Sequence, residues 1–471
     1  MRIDTAHLGE KPIVGLFFGI AFPIAVGMMI NGLYNVVDAI FVTRVLGAHA
    51  MGGISIVFPI QMFVFALANL IGSGMASIVA RQLGAKNAEG AQATIDMAIR
   101  LTIGFTLVLT AGIYLNMQEI LTFIGVSAAL MPYAVDYLLP ITLLGIPITM
   151  LNQIPSDTLR AEGKAVYMMA IMTLSALLNI ALDAVFLFVF KSGVEGVAYA
   201  TVISQLIALV ISLWFFFAGK TQLKIRAFAY QLDNKVLNEI ILLGVPLLIS
   251  HAGVSIFIAF TNFSLAQLSN INNDLYISAY GLIGRLVIFA ILPVIAMTVA
   301  FQTIAGFNHG AQQYKRVLTM VKVGLIAALS YGLLMSTIMA FAPRLIISMF
   351  TQDEALIQAA IGISLWVFMA FPLANAHGLG CGLFQALGKA REALFLSSLR
   401  IYLLLLPGLI ILPTFYGLQG LWLAFPIADG VAFVIVMGLL LREGRHLSML
   451  QKASPEATTN SQTRDYREIS E

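Results

Sequence analysis

Charged side chains are scarce in this sequence. Asp, Glu, Lys and Arg make up 10% of its 471 residues, while 60% are hydrophobic. An ordinary soluble domain carries about 25% charged residues, so a water-facing globular surface is excluded for most of the chain. The single cysteine, Cys381, rules out an internal disulfide and a cysteine metal cluster. No GxxxxGK[ST] phosphate loop is present, so direct ATP hydrolysis, and enzymatic activity generally, is not expected. The N-terminal MRIDTAHLGEKP lacks the pattern of a cleaved signal peptide. The histidines in HAMGG and HGLG stand alone and do not make a metal-ligand set. A formal charge of +3, held mainly in short loops, does not point to nucleic acid.

Apolar sequence fills the space that charge leaves. Mean hydropathy is +0.93. Stretches of about twenty apolar residues, enough to cross a bilayer as helix, recur from end to end. The expected fold is all-α and polytopic, with twelve spans near 12–40, 54–80, 94–117, 132–157, 165–190, 194–218, 238–263, 275–305, 320–341, 358–384, 393–413 and 418–441. Basic short loops fall alternately: RQLGAKNAEGA (81–91), LRAEGKA (159–165), GKTQLKIRAFAYQLDNK (219–235), GFNHGAQQYKR (306–316), GKAREA (388–393) and LREGRH (441–446). With twelve spans these share one side, which the positive-inside rule makes cytoplasmic, together with both termini. The polar tail after Gln451 is expected to be disordered.

The chain repeats itself. Pro23 is matched by Pro246, Pro147 by Pro372, Gly163 by Gly388 and Gly196 by Gly420, at an almost constant spacing of a little under half the chain. Matching Pro and Gly inside spans indicate two homologous six-helix lobes, 1–220 and 236–450, joined by a linker at 221–235 and followed by the tail 451–471. Six is even, so the lobes enter the membrane in the same direction and are related by a pseudo-two-fold along its normal.

Polarity breaks the symmetry. Asn31, Asn35 and Asp38 are spaced four and three apart, on one face of the first span. Asn179 and Asp183 share a face of the fifth, and Thr201 lies early in the sixth. Asp183 aligns near Gly408 and Asp38 near Ser264, so the second lobe lacks both acids. An acid facing lipid is costly, so these side chains are expected to look into protein or a watery cavity. Two carboxylates brought together with little water repel, so one should hold a proton near neutral pH; the same oxygens also suit a cation. The competing reading is that the aspartates end helices or sit at the headgroups. Gln61, Asn152 and Arg285 join Asn31, Asp38 and Asp183 as candidates for lining a substrate cavity, and Pro23 gives the first helix a place to bend.

These residues resemble the multidrug and toxic compound extrusion (MATE) family, of the damage-inducible prokaryotic type. The motifs are Phe22-Pro23, NVVDAIFVTRVLG (35–47), ARQLGAKN (80–87), LRAEGKA (159–165), NIALDAVF (179–186), EGVAYATVISQ (195–205), GFNHGAQ (306–312) and QALGKA (385–390), spread over 12–445. The resemblance implies a V-shaped pair of six-helix lobes in a bacterial inner membrane, acting as a monomer on small amphipathic or cationic compounds. It implies efflux in exchange for protons, with Asp38, Asp183, Asn179 and Thr201 in the coupling site, to which helical spacing adds Asn35. It implies no cofactor and no resident metal. Two alternatives stay open: a sodium-coupled antiporter using Asp38, Asn179, Asp183 and Thr201, and a flippase for lipid-linked oligosaccharides or precursors. Some sodium-coupled members place acids in helices seven and ten, where this chain reads PLLISHAGVSIF and FPLANAHGLGCG.

The orientation has a direct test. In a Cys381→Ala background, Ser192→Cys should react with a membrane-impermeant maleimide in intact cells. Glu89→Cys should react only after permeabilisation. The reverse pattern would invert the topology.

Overall fold

The computed structural model describes the chain except residues 1–6, 226, 227, 229, 268–272 and 454–471, and the side chains of 35, 36, 48, 266, 267, 273, 274 and 453. Every regular element among the described residues is helical. Inside a bilayer no water is available to the backbone, and a helix satisfies its own N–H and C=O groups. Nine long apolar helices come first: α1 (Ile13–Leu46), α2 (His49–Gly84), α3 (Ala88–Leu115), α4 (Met131–Ala161), α5 (Ala165–Val189), α6 (Gly193–Phe217), α7 (Asn234–Leu265), α8 (Leu275–Gly310) and α9 (Tyr314–Phe341). A bent pair, α10, joins Glu354–Met369 to Phe371–Ala386 at 45°, and α11 is the long stretch Ala390–Lys452.

The described residues therefore hold ten helices able to cross a membrane, or eleven when the bent pair counts as one span. This differs from the twelve separate spans expected, and the reasons are local. The expected spans 393–413 and 418–441 run together as α11, whose 63 residues would reach about 95 Å if straight, far more than a bilayer. The helix is broken at Gly417, where φ is 55° and ψ −135°, a conformation open to glycine. The two arms then fold back on each other. A Cβ built on Gly420 would lie 2.2 Å from the Leu412 carbonyl, and one on Gly408 would lie 3.3 Å from the Ala424 Cβ. In α10 the break precedes Pro372, in the first turn of the second piece, where the missing N–H costs no helical bond. The helix α11 also continues to Lys452, into the stretch read as a tail, of which 454–471 lie outside the described residues.

By packing, the chain divides into two compact units. Gly19–Gln82 and Asn87–Leu248 form the first; Ala6–Phe18, Leu83–Lys86 and Ile249–Glu471 form the second. In the first unit, α2 and α7 touch backbone to backbone. A Cβ on Gly74 would lie 2.1 Å from the Ile240 carbonyl oxygen, and one on Gly244 would lie 2.0 Å from that of Leu70. Small residues permit this approach, and dispersion contact replaces the absent hydrophobic drive. The segment after α6 is tied to the same unit. The Glu162 carboxylate accepts from the backbone N–H of Gln222 (3.1 Å) and Leu223 (2.9 Å), and Gln92 accepts from that of Lys224 (2.8 Å).

The second unit has an aromatic core, with the rings of Tyr280 and Trp422 5.8 Å apart and those of Phe368 and Phe371 5.2 Å apart. It also holds the short helix His7–Glu10. Leu8 is fully buried there, and Asn308 and Arg316 donate to its carbonyl at 3.0 and 3.1 Å.

The glycine contacts predict an order of tolerance. Gly244→Val should lower stability by roughly 1–3 kcal/mol through overpacking, read as a drop in melting temperature in detergent. Gly281→Ala, where a Cβ meets nothing within 4 Å, should be neutral or slightly stabilising. Equal effects would mean that the α2–α7 contact is not tight.

Candidate functional site

The first unit brings the sequence-predicted acids together. Helix α1 runs to Leu46, two turns beyond Asp38, and α5 runs to Val189, beyond Asp183. Neither aspartate ends a helix, which removes the capping alternative. Helices α1 and α5 lie side by side in the same direction: Gly27 faces Met169, and further along the rings of Phe41 and Phe188 meet edge to face at 5.9 Å. Between these two contacts the Asp38 and Asp183 carboxyls come within hydrogen-bonding reach of each other. Asp183 is fully buried. The Oδ1 atoms of both are buried and meet no donor.

Asn179, one turn before Asp183 on α5, links the pair to α6. With its amide nitrogen toward Asp183 Oδ2 (3.2 Å) and its oxygen toward Thr201 Oγ1 (3.3 Å), both neighbours are satisfied. The opposite orientation leaves the amide oxygen facing only acceptors. Thr201 Oγ1 also stands 3.2 Å from the Val197 carbonyl oxygen, so its hydroxyl is held in place.

Two further residues belong here that the sequence reading passed over. The Tyr137 hydroxyl on α4 is buried close to Asp38, Asp183 and Tyr34, and Gln61 Nε2 on α2 donates to it at 3.3 Å. Tyr34 precedes Asp38 by one helical turn, so its place on the same face was legible. Tyr137 was masked by its neighbour: in PYAVDYL the acid Asp136 draws the eye, yet Asp136 is exposed and the tyrosine turns inward.

Asn31 and Asn152 are half-buried in the same unit, and Asn152 Oδ1 has no donor. Pro23 lies within α1, four turns before Asp38. The Asn35 side chain lies outside the described residues. Arg285 belongs to the second unit, on α8, with its side chain exposed.

Three π-helical stretches interrupt the regular turns, and each lies beside a polar side chain of the interior. Val185–Val189 follows Asp183, Ile141–Gly145 follows Tyr137, and Leu399–Leu405 contains Arg400. A wide turn shifts the helix face by part of a turn, which re-aims the side chains beside it; such insertions recur at functional sites. In the second unit Arg400 pairs with Asp429 at 2.5 Å, and Gln302 donates to Gln385 at 2.6 Å. Among the described residues there is no counterpart of the carboxyl pair there. Gly408, which aligns with Asp183, is pressed against Ala424. No group of three or more His, Cys, Asp or Glu suited to a metal occurs among the described residues.

Comparison with known proteins follows the same division. The MatE family profile matches twice, over residues 23–185 and 246–411. The second match is offset from the first by nearly the same spacing as the proline and glycine marks, and begins on Pro246 as the first begins on Pro23. The multidrug export protein MepA of Staphylococcus aureus (strain NCTC 8325 / PS 47) is 24% identical over 439 residues, 93% of this chain and 96% of that protein. An outward-facing multidrug resistance MATE family transporter of the MOP superfamily matches with a TM-score of 0.85 at 23% identity, covering 96% of this chain and 100% of that one. A crystal structure of MATE in the bent conformation matches with a TM-score of 0.86 at 23% identity, covering 96% and 99%. At such identity the structural likeness speaks to the fold, and the profile match over both halves carries the assignment. The chain belongs to the MatE family.

Proposed function

We propose that this protein exports lipophilic, cationic compounds in exchange for protons, and that the Asp38–Asp183 pair is the coupling site. The observation that carries this reading is the meeting of two carboxyls from different helices inside the first unit, with oxygens that no protein donor satisfies. Two carboxyls this close repel when both are ionised, so on this reading the resting pair shares one proton and carries one negative charge. A second proton makes it neutral and removes the counter-charge for a cationic substrate. Loss of the shared proton leaves two charges and draws a cation in. Asn179, Thr201 and Tyr137 fix the geometry: they orient the oxygens and keep the exchange confined to the pair. The name of the relative MepA, a multidrug export protein, supports the substrate class.

The surroundings speak against a flippase for an anionic headgroup. Such a carrier needs free basic side chains in its cavity. Arg400 is paired with Asp429, and Arg100 with Asp96 at 2.8 Å. The donorless oxygens favour a second reading of the coupling ion: together with Asn179 and Thr201 they would also suit a sodium ion. The proposal extends to the architecture: twelve crossings in two six-helix lobes, 1–220 and 236–450, with α11 crossing twice about Gly417. Both termini face the cytoplasm of a bacterium, the protein sits in its inner membrane as a monomer, and α1 bends at Pro23 during the cycle.

Proteoliposomes with an imposed pH or sodium gradient test the mechanism. Efflux of a fluorescent lipophilic cation should follow the pH gradient and fall to the level of empty liposomes in Asp38→Asn and in Asp183→Asn. Tyr137→Phe should retain transport at a reduced rate, because it removes a neighbouring hydroxyl and leaves both carboxyls. Full activity in both aspartate variants would overturn the coupling site. Sodium-driven efflux without pH dependence would replace the proton and keep the site.

A further inference from the structure

The end of α11 carries a cleft that the transport reading leaves unused. The helix passes from VAFVIVMGLLL (431–441) straight into REGRH (442–446), and a cavity of about 610 Å³ opens there in the second unit. Its basic side chains are Arg442, Arg445, His446 and Lys389, the last supplied by the turn between α10 and α11. Its acid, Glu443, is buried and paired with Lys389. Arg442 and Arg445 are exposed and form no ion pair among the described residues. The cleft is thus positive. It is also partly apolar: Leu441 and Met449, 60% and 62% exposed, line it beside the arginines.

We propose that this cleft binds the phosphodiester headgroup of an anionic phospholipid from the adjoining leaflet. Three observations converge on a lipid. The arginines begin immediately after the apolar run, at the depth where headgroups lie. The guanidinium fork matches a phosphate geometrically as well as electrically. The exposed Leu441 and Met449 place apolar wall next to the cations, as a glycerol backbone and the first acyl carbons require; a soluble anion gains nothing from them. The Lys389–Glu443 pair joins the turn to the helix and holds the cleft open at its base. The internal repeat sharpens the point. Lys164, the counterpart of Lys389 in the first half, also pairs with a glutamate, Glu162, but there both side chains are buried and Glu162 is capped by the backbone of Gln222 and Leu223. The first half closes over its lysine; the second leaves a basic cleft.

The test uses the full chain in nanodiscs of equal phosphatidylglycerol and phosphatidylcholine, with retained lipid counted by native mass spectrometry after transfer to detergent. The wild type should retain phosphatidylglycerol preferentially. In Arg442→Gln/Arg445→Gln/His446→Gln that preference should fall by roughly tenfold. Arg442→Lys/Arg445→Lys should keep part of it, and Lys315→Gln, a basic residue outside the cleft, should keep all of it. The single variants give the same reading should the triple variant express poorly. An unchanged preference in the triple variant would overturn the proposal. So would full displacement of the lipid by glycerol 3-phosphate at equal concentration, which would make the cleft a site for soluble phosphate.

Discussion

Inside a bilayer a polar group has no water to fall back on, and the rest of this structure depends on that. The backbone answers by being helical. The side chains answer in pairs: Arg400 with Asp429, Gln302 with Gln385, Gln61 with Tyr137, Asn179 with Thr201. Leaving one buried partner unpaired costs about 1–3 kcal/mol or more, and buried oxygens of Asn152, Asn262 and Glu443 also stand without a partner. The Asp38–Asp183 pair stands out because it brings two acids together. Each carboxyl retains a buried oxygen with no protein donor. On the proposed reading, this incomplete site takes up something mobile and positively charged.

The two halves share a frame and differ in what they place on it. The same proline and glycine marks recur at a near-constant interval, and the same family profile fits both halves. Yet where the first half has Asp183, the second has Gly408, packed too closely on Ala424 to admit an acid without displacement. Where the second half has the Arg400–Asp429 pair, the matching positions of the first half hold Ser175 and Gln205, each in a neutral hydrogen bond. Duplication supplied the scaffold. Divergence put an acidic pair in one half and an Arg–Asp ion pair in the other.

Much of this was written in the chain. Hydropathy dictated a helical membrane protein because no other solution satisfies the backbone of so many apolar segments. Helical spacing put Asn179 with Asp183, and the half-to-half asymmetry singled out Asp38 and Asp183. The span count was less legible. Hydropathy put a break between 413 and 418, where Gly417 lies, but it could not show that helix runs up to that glycine on both sides or that α10 bends before Pro372. Tyr137 was missed because facing inward depends on how α4 packs, and an adjacent exposed acid offered a stronger local signal.

The sequence by itself determined fold class, repeat and the identity of the scarce embedded acids, because each follows from local composition and one-dimensional spacing. The tertiary structure alone decided that the two acids meet, since side chains so far apart along the chain approach only through the parallel packing of α1 on α5 at Gly27 and Phe41. It also decided that Asp38 lies two turns inside its helix, that Tyr137 joins the pair, and that the arginines after the last apolar run line a cleft with Lys389. Contacts between distant segments are set by how helix faces interlock, and no pattern along a single strand of sequence encodes that directly.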